Sequence, residues 1–121
     1  MSGTDYIPRK GDVVALDFEP SKGREIRKRR PALVISNQRY SILTGLVIVL
    51  PITHAENNTL VHLGFFVGVN CSHVDGYVNT LQIHSFDFKK RQAQYLDTLD
   101  SESMRCVLQR VNQMINANEQ S

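Results

Sequence analysis

Short apolar runs rich in β-branched residues fill the first two-thirds of the chain, and they restrict its fold more than any other feature. Residues 32–36 (ALVIS) and 46–50 (LVIVL) are continuous, as expected for central strands that are buried on both faces. Residues 12–18 (DVVALDF) form another run, directly after a Lys10-Gly11 turn signal. Further strands are predicted over residues 65–69, 77–83 and 92–96.

The C-terminal part of the chain has a helical pattern instead. It follows Asp100 and Ser101, either of which is a good N-cap. Apolar residues then recur at helical spacing: Met104, Val107, Leu108, Val111, Met114 and Ile115. Five or six strands followed by one amphipathic helix predict a mainly β (α+β) fold, a compact twisted sheet or small barrel with the helix packed against it. We expect one domain over residues 1–121, with disordered tails at about 1–8 and 116–121.

Several classes of protein are disfavoured by what the sequence lacks. No segment approaches the roughly 20 apolar residues of a membrane-spanning helix, and the N-terminus lacks the apolar middle of a signal peptide, so we expect a cytoplasmic protein without membrane contact. Cys71 and Cys106 lie 35 positions apart with no second pair, which argues against a zinc site or a disulfide framework. Standard nucleotide and hydrolase motifs are also missing, and we predict neither a metal nor a cofactor.

The most unusual local feature is a cationic segment, residues 21–31 (SKGREIRKRRP). Because it lies between two predicted strands, we expect it to form a surface loop. Such a loop neutralises phosphates and gains affinity for nucleic acid through counterion release. The charge alone is equally typical of a solvated loop or of a docking patch for an acidic partner. The six basic residues are Lys22, Arg24, Arg27, Lys28, Arg29 and Arg30.

Glu25 is the single acid among these six cations. Neighbouring positive charges favour the carboxylate and therefore lower the pKa of Glu25, which keeps it able to accept a proton at neutral pH. A base beside arginines suits the attack of a ribose 2′-hydroxyl on the adjacent phosphate, because the guanidinium groups stabilise the charge that develops on the phosphoryl oxygens. Metal-independent cleavage of RNA is therefore one hypothesis for this segment.

Motifs along the chain resemble, in order, those of the MazF/PemK toxins. That family typically has G-D-[IVL], then P-x-x-G-x-E, then R-P-[AV]-[LV], and later an apolar-Pro-x-Thr sequence. The likeness extends from about Lys10 to Met114, and the matching segments are 10–14, 17–25, 30–36, 50–53, 76–78 and 81–91.

The resemblance implies a small SH3-like barrel or twisted antiparallel sheet with a C-terminal helix, a PemK/CcdB-like fold that is usually a homodimer. It implies a sequence-specific endoribonuclease that cuts single-stranded RNA, leaves a cyclic phosphate and a 5′-hydroxyl, and is paired with an antitoxin protein. It places the catalytic residues at Glu25, Arg30 and Thr53. For the dimer interface we expect residues 40–45, taken as a turn, and the C-terminal helix.

The RNA-binding residues are predicted around this catalytic set, and the chain departs from the family there. Ile26 stands where Gln is usual, and cationic residues replace a Gly before Arg30, which changes the expected cleavage sequence. Leu81 stands where some relatives carry an acid, so the Glu25 version of the site is favoured. The predicted RNA-binding residues are Lys22, Arg24, Arg27, Lys28, Arg29, His54, Gln82 and His84.

Two alternatives are compatible with the same fold. A related toxin group poisons DNA gyrase by binding alone and typically ends in an aromatic-Gly-Ile tail, whereas this chain has no Trp and ends in Asn-Glu-Gln-Ser. The other alternative is an inactive relative that only binds RNA, against which the presence of Glu25, Arg30 and Thr53 argues.

Overall fold

A computed structural model describes residues 5–18, 29–54 and 63–119. These residues form seven strands and two helices. In chain order the elements are β1 (Asp12–Asp17), β2 (Arg29–Val34), α1 (Gln38–Thr44), β3 (Leu46–Thr53), β4 (Phe66–Asn70), β5 (Asp75–Asn79), β6 (His84–Asp87), β7 (Gln94–Thr98) and α2 (Ser101–Asn116). Neither helix in the described ranges is long and apolar enough to cross a membrane.

The strands form one curled antiparallel sheet. Its order is β4-β5-β3-β2-β1-β7, and β6 pairs with β3 beside that path. One edge of β3 pairs with β6 through Leu46 to Val49 and then with β5 through Ile52 and Thr53. β7 pairs with β1, and residues 88–93 join it to β6. The predicted mainly β fold with a C-terminal helix is confirmed.

Alternation along the strands separates two apolar clusters, one on each face of the sheet. On one face, which we call the helix side, Val13, Leu33 and Leu50 pack with α2. The helix contributes its own buried stripe, Met104, Val107 and Val111. The strand residues that alternate with Val13, Leu33 and Leu50 point to the opposite face and form what we call the inner cluster. Its buried members are Val14, Leu16, Ala32, Val34, Val47, Val49 and Phe88.

Helix α1 was missed by the sequence analysis, which took residues 40–45 as a turn. The Asn37 side chain caps its first turn by accepting from the backbone N–H of Tyr40 at 2.9 Å. Gly45 ends it in the left-handed region with φ 75°, and its N–H donates to the carbonyl of Ser41. Seven residues between a polar cap and a glycine make a helix too short to show a periodicity.

Two strand boundaries also differ from the prediction. The strand expected over residues 77–83 ends at Asn79, because the Asn79 side chain accepts from the N–H of Leu81 at 2.9 Å and turns the chain, and β6, which begins only at His84, was not predicted. The hydroxyl of Thr80 donates to the carbonyl of Phe65 and fixes that turn. β2 begins at Arg29, so Arg29 and Arg30 belong to a strand and not to the predicted loop.

The predicted disordered tails are described only in part, since residues 1–4 and 120–121 lie outside the described ranges. Pro8 is fully buried, and Tyr6 and Ile7 pack against the inner cluster. The phenol of Tyr6 donates to the carboxylate of Asp12 at 2.5 Å. Burial and this carboxylate raise the pKa of Tyr6 well above its usual range, so the phenol remains a donor.

Candidate active site

The end of β1, the start of β2 and the end of β3 meet at one edge of the inner face. Leu16 pairs with Arg30 across the first two strands. The ladder between β2 and β3 runs from Val34↔Val49 to Ala32↔Pro51, and Arg30 and Thr53 each lie two residues beyond its last pair. Arg30 and Thr53 therefore share one face and one end of neighbouring strands, because residues two apart in a strand point the same way.

Arg30 presents a free cation at this edge. The residue is exposed, while its partner Leu16 across the ladder is fully buried. Within the described ranges its guanidinium has no hydrogen-bond or ion-pair partner. Arg30 can therefore donate hydrogen bonds to an incoming phosphate without first breaking a contact in the protein.

Thr53 carries the second polar group at this edge, a hydroxyl. Its Oγ1 atom is shielded from solvent and has no hydrogen-bond partner in the described part of the chain. A buried hydroxyl that makes no hydrogen bond costs about 1–3 kcal/mol, so this group gains by meeting a phosphate oxygen.

Gly76 allows β5 to pack closely against the backbone of Thr53. Thr53 pairs with Tyr77 of β5, and the residue before Tyr77 is Gly76 with φ 140°. A Cβ atom placed on Gly76 would lie 2.8 Å from the carbonyl oxygen of Thr53 and 3.2 Å from the Cγ2 atom of Ile52. Only a glycine allows β5 to approach the end of β3 this closely.

Arg29 has a different role from Arg30, although the two are adjacent. Successive strand residues point to opposite faces, so Arg29 shares the face of Asp17, with which it pairs. Its guanidinium donates to the carboxylate of Asp17 at 2.9 Å and to the carbonyls of Ala15 at 3.0 Å and Gln92 at 2.8 Å. The predicted RNA contact of Arg29 stays a prediction, and the structure adds that Arg29 ties β1 to the connection before β7.

His84 lies in an aromatic stack rather than alone. Its ring is parallel to that of Phe86 at 5.2 Å, and Phe18 meets both rings edge-on at 5.3 Å. Arg91 covers Phe86 from 4.5 Å and donates to the carbonyls of Asp17 at 3.2 Å and Phe18 at 2.8 Å. Arg91 thus holds the chain immediately before residues 19–28, the segment that contains Glu25.

The other predicted site residues divide into two groups. His54, one residue beyond β3, and Gln82, in the turn before β6, are both exposed. The rest lie outside the described residues: Lys22, Arg24, Glu25, Arg27 and Lys28. Residues 19–28, which include Glu25, connect Phe18 to Arg29. This connection therefore starts and ends at the same edge of the sheet as Arg30.

Sequence reasoning gave no role to Phe18, Phe86 or Gly76, and it noted Arg91 only as part of a motif. The contact between Arg91 and Phe18 joins residues 73 positions apart, and no local pattern marks it. The sequence signal for Gly76 was its place in the matching motif at residues 76–78. In the described residues, no three His, Cys, Asp or Glu side chains are grouped so that they could hold a metal ion.

Comparison with known proteins identifies the family to which this fold and these motifs belong. Residues 9–115 match the model of the PemK-like, MazF-like toxin of type II toxin-antitoxin systems. The endoribonuclease toxin MazF of Escherichia coli K12 is 29% identical over 110 residues, which cover 91% of this chain and 96% of that protein.

Solved structures agree with this match. Crystal structures of MazF and of MazE-MazF from Deinococcus radiodurans superpose with TM-scores of 0.77 and 0.80, each at 30% identity. The first covers 92% of this chain and 98% of its own, and the second covers 94% and 100%. The fold, the order of motifs and these matches agree along nearly the whole chain, and the protein belongs to the PemK-like, MazF-like toxins of type II toxin-antitoxin systems.

Proposed function

We propose that this protein is a cytoplasmic endoribonuclease toxin that cleaves single-stranded RNA without a metal cofactor and is restrained by a cognate antitoxin. The observation that carries the proposal is that Arg30 and Thr53 lie on one face and at the same end of neighbouring strands, at the edge where the Glu25 segment begins and ends. The Escherichia coli relative is named an endoribonuclease toxin, which supports the same activity. The gyrase-binding alternative has no support from the named relatives.

In the proposed reaction, the carboxylate of Glu25 takes the proton of a ribose 2′-hydroxyl. The 2′-oxygen forms a bond to the adjacent phosphorus, and the bond from phosphorus to the 5′-oxygen breaks. The 5′-oxygen takes a proton from solvent and leaves as a hydroxyl, while the other fragment ends in a 2′,3′-cyclic phosphate. Glu25 returns its proton to solvent and is ready for another turnover.

Arg30 and Thr53 act on the phosphate in this scheme. Charge builds on the non-bridging oxygens during the attack, and the free guanidinium of Arg30 stabilises it. The hydroxyl of Thr53, which has no partner in the described residues, donates to one of the same oxygens. These two donors supply the positive potential that a metal ion would otherwise supply, so the reaction requires none.

The first test is cleavage of a defined RNA with and without EDTA. We expect equal rates under both conditions, ends that carry a cyclic phosphate and a 5′-hydroxyl, and no cleavage of an oligonucleotide with deoxyribose at the scissile position, because that sugar lacks the attacking group. Cleavage that requires magnesium, or that proceeds on the deoxyribose substrate, would contradict the mechanism.

A symmetric homodimer completes the proposal. Large apolar side chains are exposed on the two elements where we expected the interface: Ile42 and Leu43 on α1 are 61% and 70% exposed, and Ile115 on α2 is 64% exposed. A two-fold interface would join two basic edges into one longer groove, on which RNA or a carboxylate-rich antitoxin segment could lie.

Sedimentation at micromolar concentration should therefore show about twice the chain mass of 13.7 kDa. The double substitution Ile42→Glu and Leu43→Glu should reduce the mass to that of one chain, because it buries charge in the interface. A wild-type protein that sediments as a monomer while cleaving RNA would refute the dimer and leave the chemistry intact.

A further inference from the structure

A cavity of about 560 Å³ lies beside β7, apart from the Arg30 edge. Its volume is within the roughly 300–1,000 Å³ of pockets that bind small organic groups. Three kinds of side chain line it: aromatic rings, amides and an ammonium group. The aromatic residues are Tyr6, Phe88 and Tyr95, the amides are Gln92 and Gln94, and the ammonium group is that of Lys89.

The aromatic wall is held in place by contacts of its own. Tyr6 and Tyr95 meet edge to face, with ring centroids 6.2 Å apart. Both hydroxyls are already engaged, that of Tyr6 with Asp12 and that of Tyr95 with Thr98 at 2.7 Å. The rings therefore offer their apolar surfaces to a ligand, and Tyr95 is 49% exposed.

The amides are free, by contrast. Gln92 and Gln94 are exposed, and neither side chain makes a hydrogen bond within the described ranges. Each carries a carbonyl acceptor and two N–H donors, the complement of the edge of a nucleobase. Aromatic surface for stacking, amides for base edges and a cation for phosphate are the combination by which proteins bind unpaired RNA bases.

The backbone of this wall is rigid. The N–H groups of Gln92 and Ala93 donate to the carbonyls of Lys89 and Phe88 at 3.1 and 2.9 Å. Gln92 has φ 54°, and it is the one residue other than glycine with a positive φ in the described chain. Such a conformation costs about 1–3 kcal/mol and is characteristic of ligand sites. The guanidinium of Arg29 stabilises this conformation by donating to the carbonyl of Gln92.

The cavity also lies on the side of the sheet that carries the candidate active site. Tyr95 pairs with Val14 and Arg30 pairs with Leu16, and both partners belong to the inner cluster. β1 alone separates β7 from β2, so the two sites are about 10 Å apart across the sheet at a strand spacing of about 4.8 Å. A nucleotide close to the scissile phosphate can span that distance.

We propose that this cavity binds one base of the RNA strand near the cleavage point and that Gln92 selects which base it is. The proposal rests on the proposed ribonuclease function. It assigns the sequence preference partly to the connection between β6 and β7, in addition to the cationic segment.

The test compares the variants Gln92→Gly and Tyr95→Ala with a control, Asn118→Ala, which removes an exposed amide beyond the end of α2. Glycine at position 92 suits the positive φ, so Gln92→Gly should melt at or above the wild-type temperature. Each cavity variant should nevertheless cleave the preferred RNA about 10-fold more slowly in kcat/KM, since a good base contact is worth about 1–3 kcal/mol. Mapping of cut sites should show relaxed preference at one position.

Two readouts keep this proposal separate from the proposed function. Binding of a fluorescent RNA with deoxyribose at the cleavage position should weaken about 10-fold in the cavity variants and remain unchanged in Asn118→Ala. Loss of base discrimination in binding supports the cavity even if the protein cleaves no RNA, a result that would refute only the ribonuclease. Wild-type affinity and base preference in both cavity variants would overturn the inference.

Discussion

Arg30→Ala and Glu25→Gln are each expected to slow RNA cleavage by about 10²–10³-fold, while the melting temperature stays close to that of the wild type. Arg30 is exposed and has no partner in the described residues, so its removal takes a donor from the phosphate and little from the fold. Glu25→Gln removes the proton acceptor and keeps nearly the same side-chain volume. Single-turnover rates measured with one RNA substrate, together with thermal unfolding, check both expectations.

Two other arginines sharpen this experiment. Arg9, exposed before the start of β1 and at the opposite end of that strand from Arg30, is the control whose replacement by Ala should leave cleavage unchanged. Arg29→Ala should lower the free energy of unfolding by about 1–3 kcal/mol, because Asp17, which is 7% exposed, loses a charged hydrogen-bond partner. If Arg30→Ala and Glu25→Gln both fold and retain near-wild-type rates, these residues are not the catalytic pair.

The opposite roles of Arg29 and Arg30 also show what sequence patterns could not provide. Both residues were expected in one cationic loop, and only the motif resemblance gave them different roles, catalytic for Arg30 and RNA-binding for Arg29. Their difference follows from the pairing of β2 with β1, which turns one guanidinium toward Asp17 and the other toward the inner face. Register depends on contacts between distant segments, so composition and charge could locate the basic segment but could not divide it.

The core elements were predictable for a related reason. β-branched runs and a helical repeat are local patterns, and they located β1 to β5, β7 and α2 to within a few residues. Helix α1 and the end of β5 at Asn79 depend on caps and side-chain turns in stretches too short for a repeat. Motif resemblance proposed Arg30 and Thr53 as site residues, whereas the anchoring of Phe18 by Arg91 required coordinates.

Gly76→Ala should be the most damaging single-methyl substitution near the site. The added Cβ atom would lie 2.8 Å from the carbonyl oxygen of Thr53, and the φ of 140° is unfavourable for any L side chain. Overpacking costs about 1–3 kcal/mol and the strained backbone about as much again, so we expect a loss of about 2–5 kcal/mol. For a domain of this size the melting temperature should fall by roughly 10 °C or more.

Two further glycines separate the causes of that loss. An alanine at position 45 would have to adopt the positive φ of 75°, but no atom lies within 4 Å of its methyl group. Gly45→Ala should therefore lower the free energy of unfolding by only about 1 kcal/mol. Gly68→Ala, in the strand paired with β5, places its methyl at an ordinary 3.7 Å from the ring of Tyr77 and should stay within about 0.5 kcal/mol of wild type. At temperatures where all three variants are folded, only Gly76→Ala should reduce cleavage, because its clash moves the backbone that carries the Thr53 hydroxyl. Equal stability and equal cleavage in Gly76→Ala and Gly68→Ala would mean that this close approach does not hold Thr53 in place.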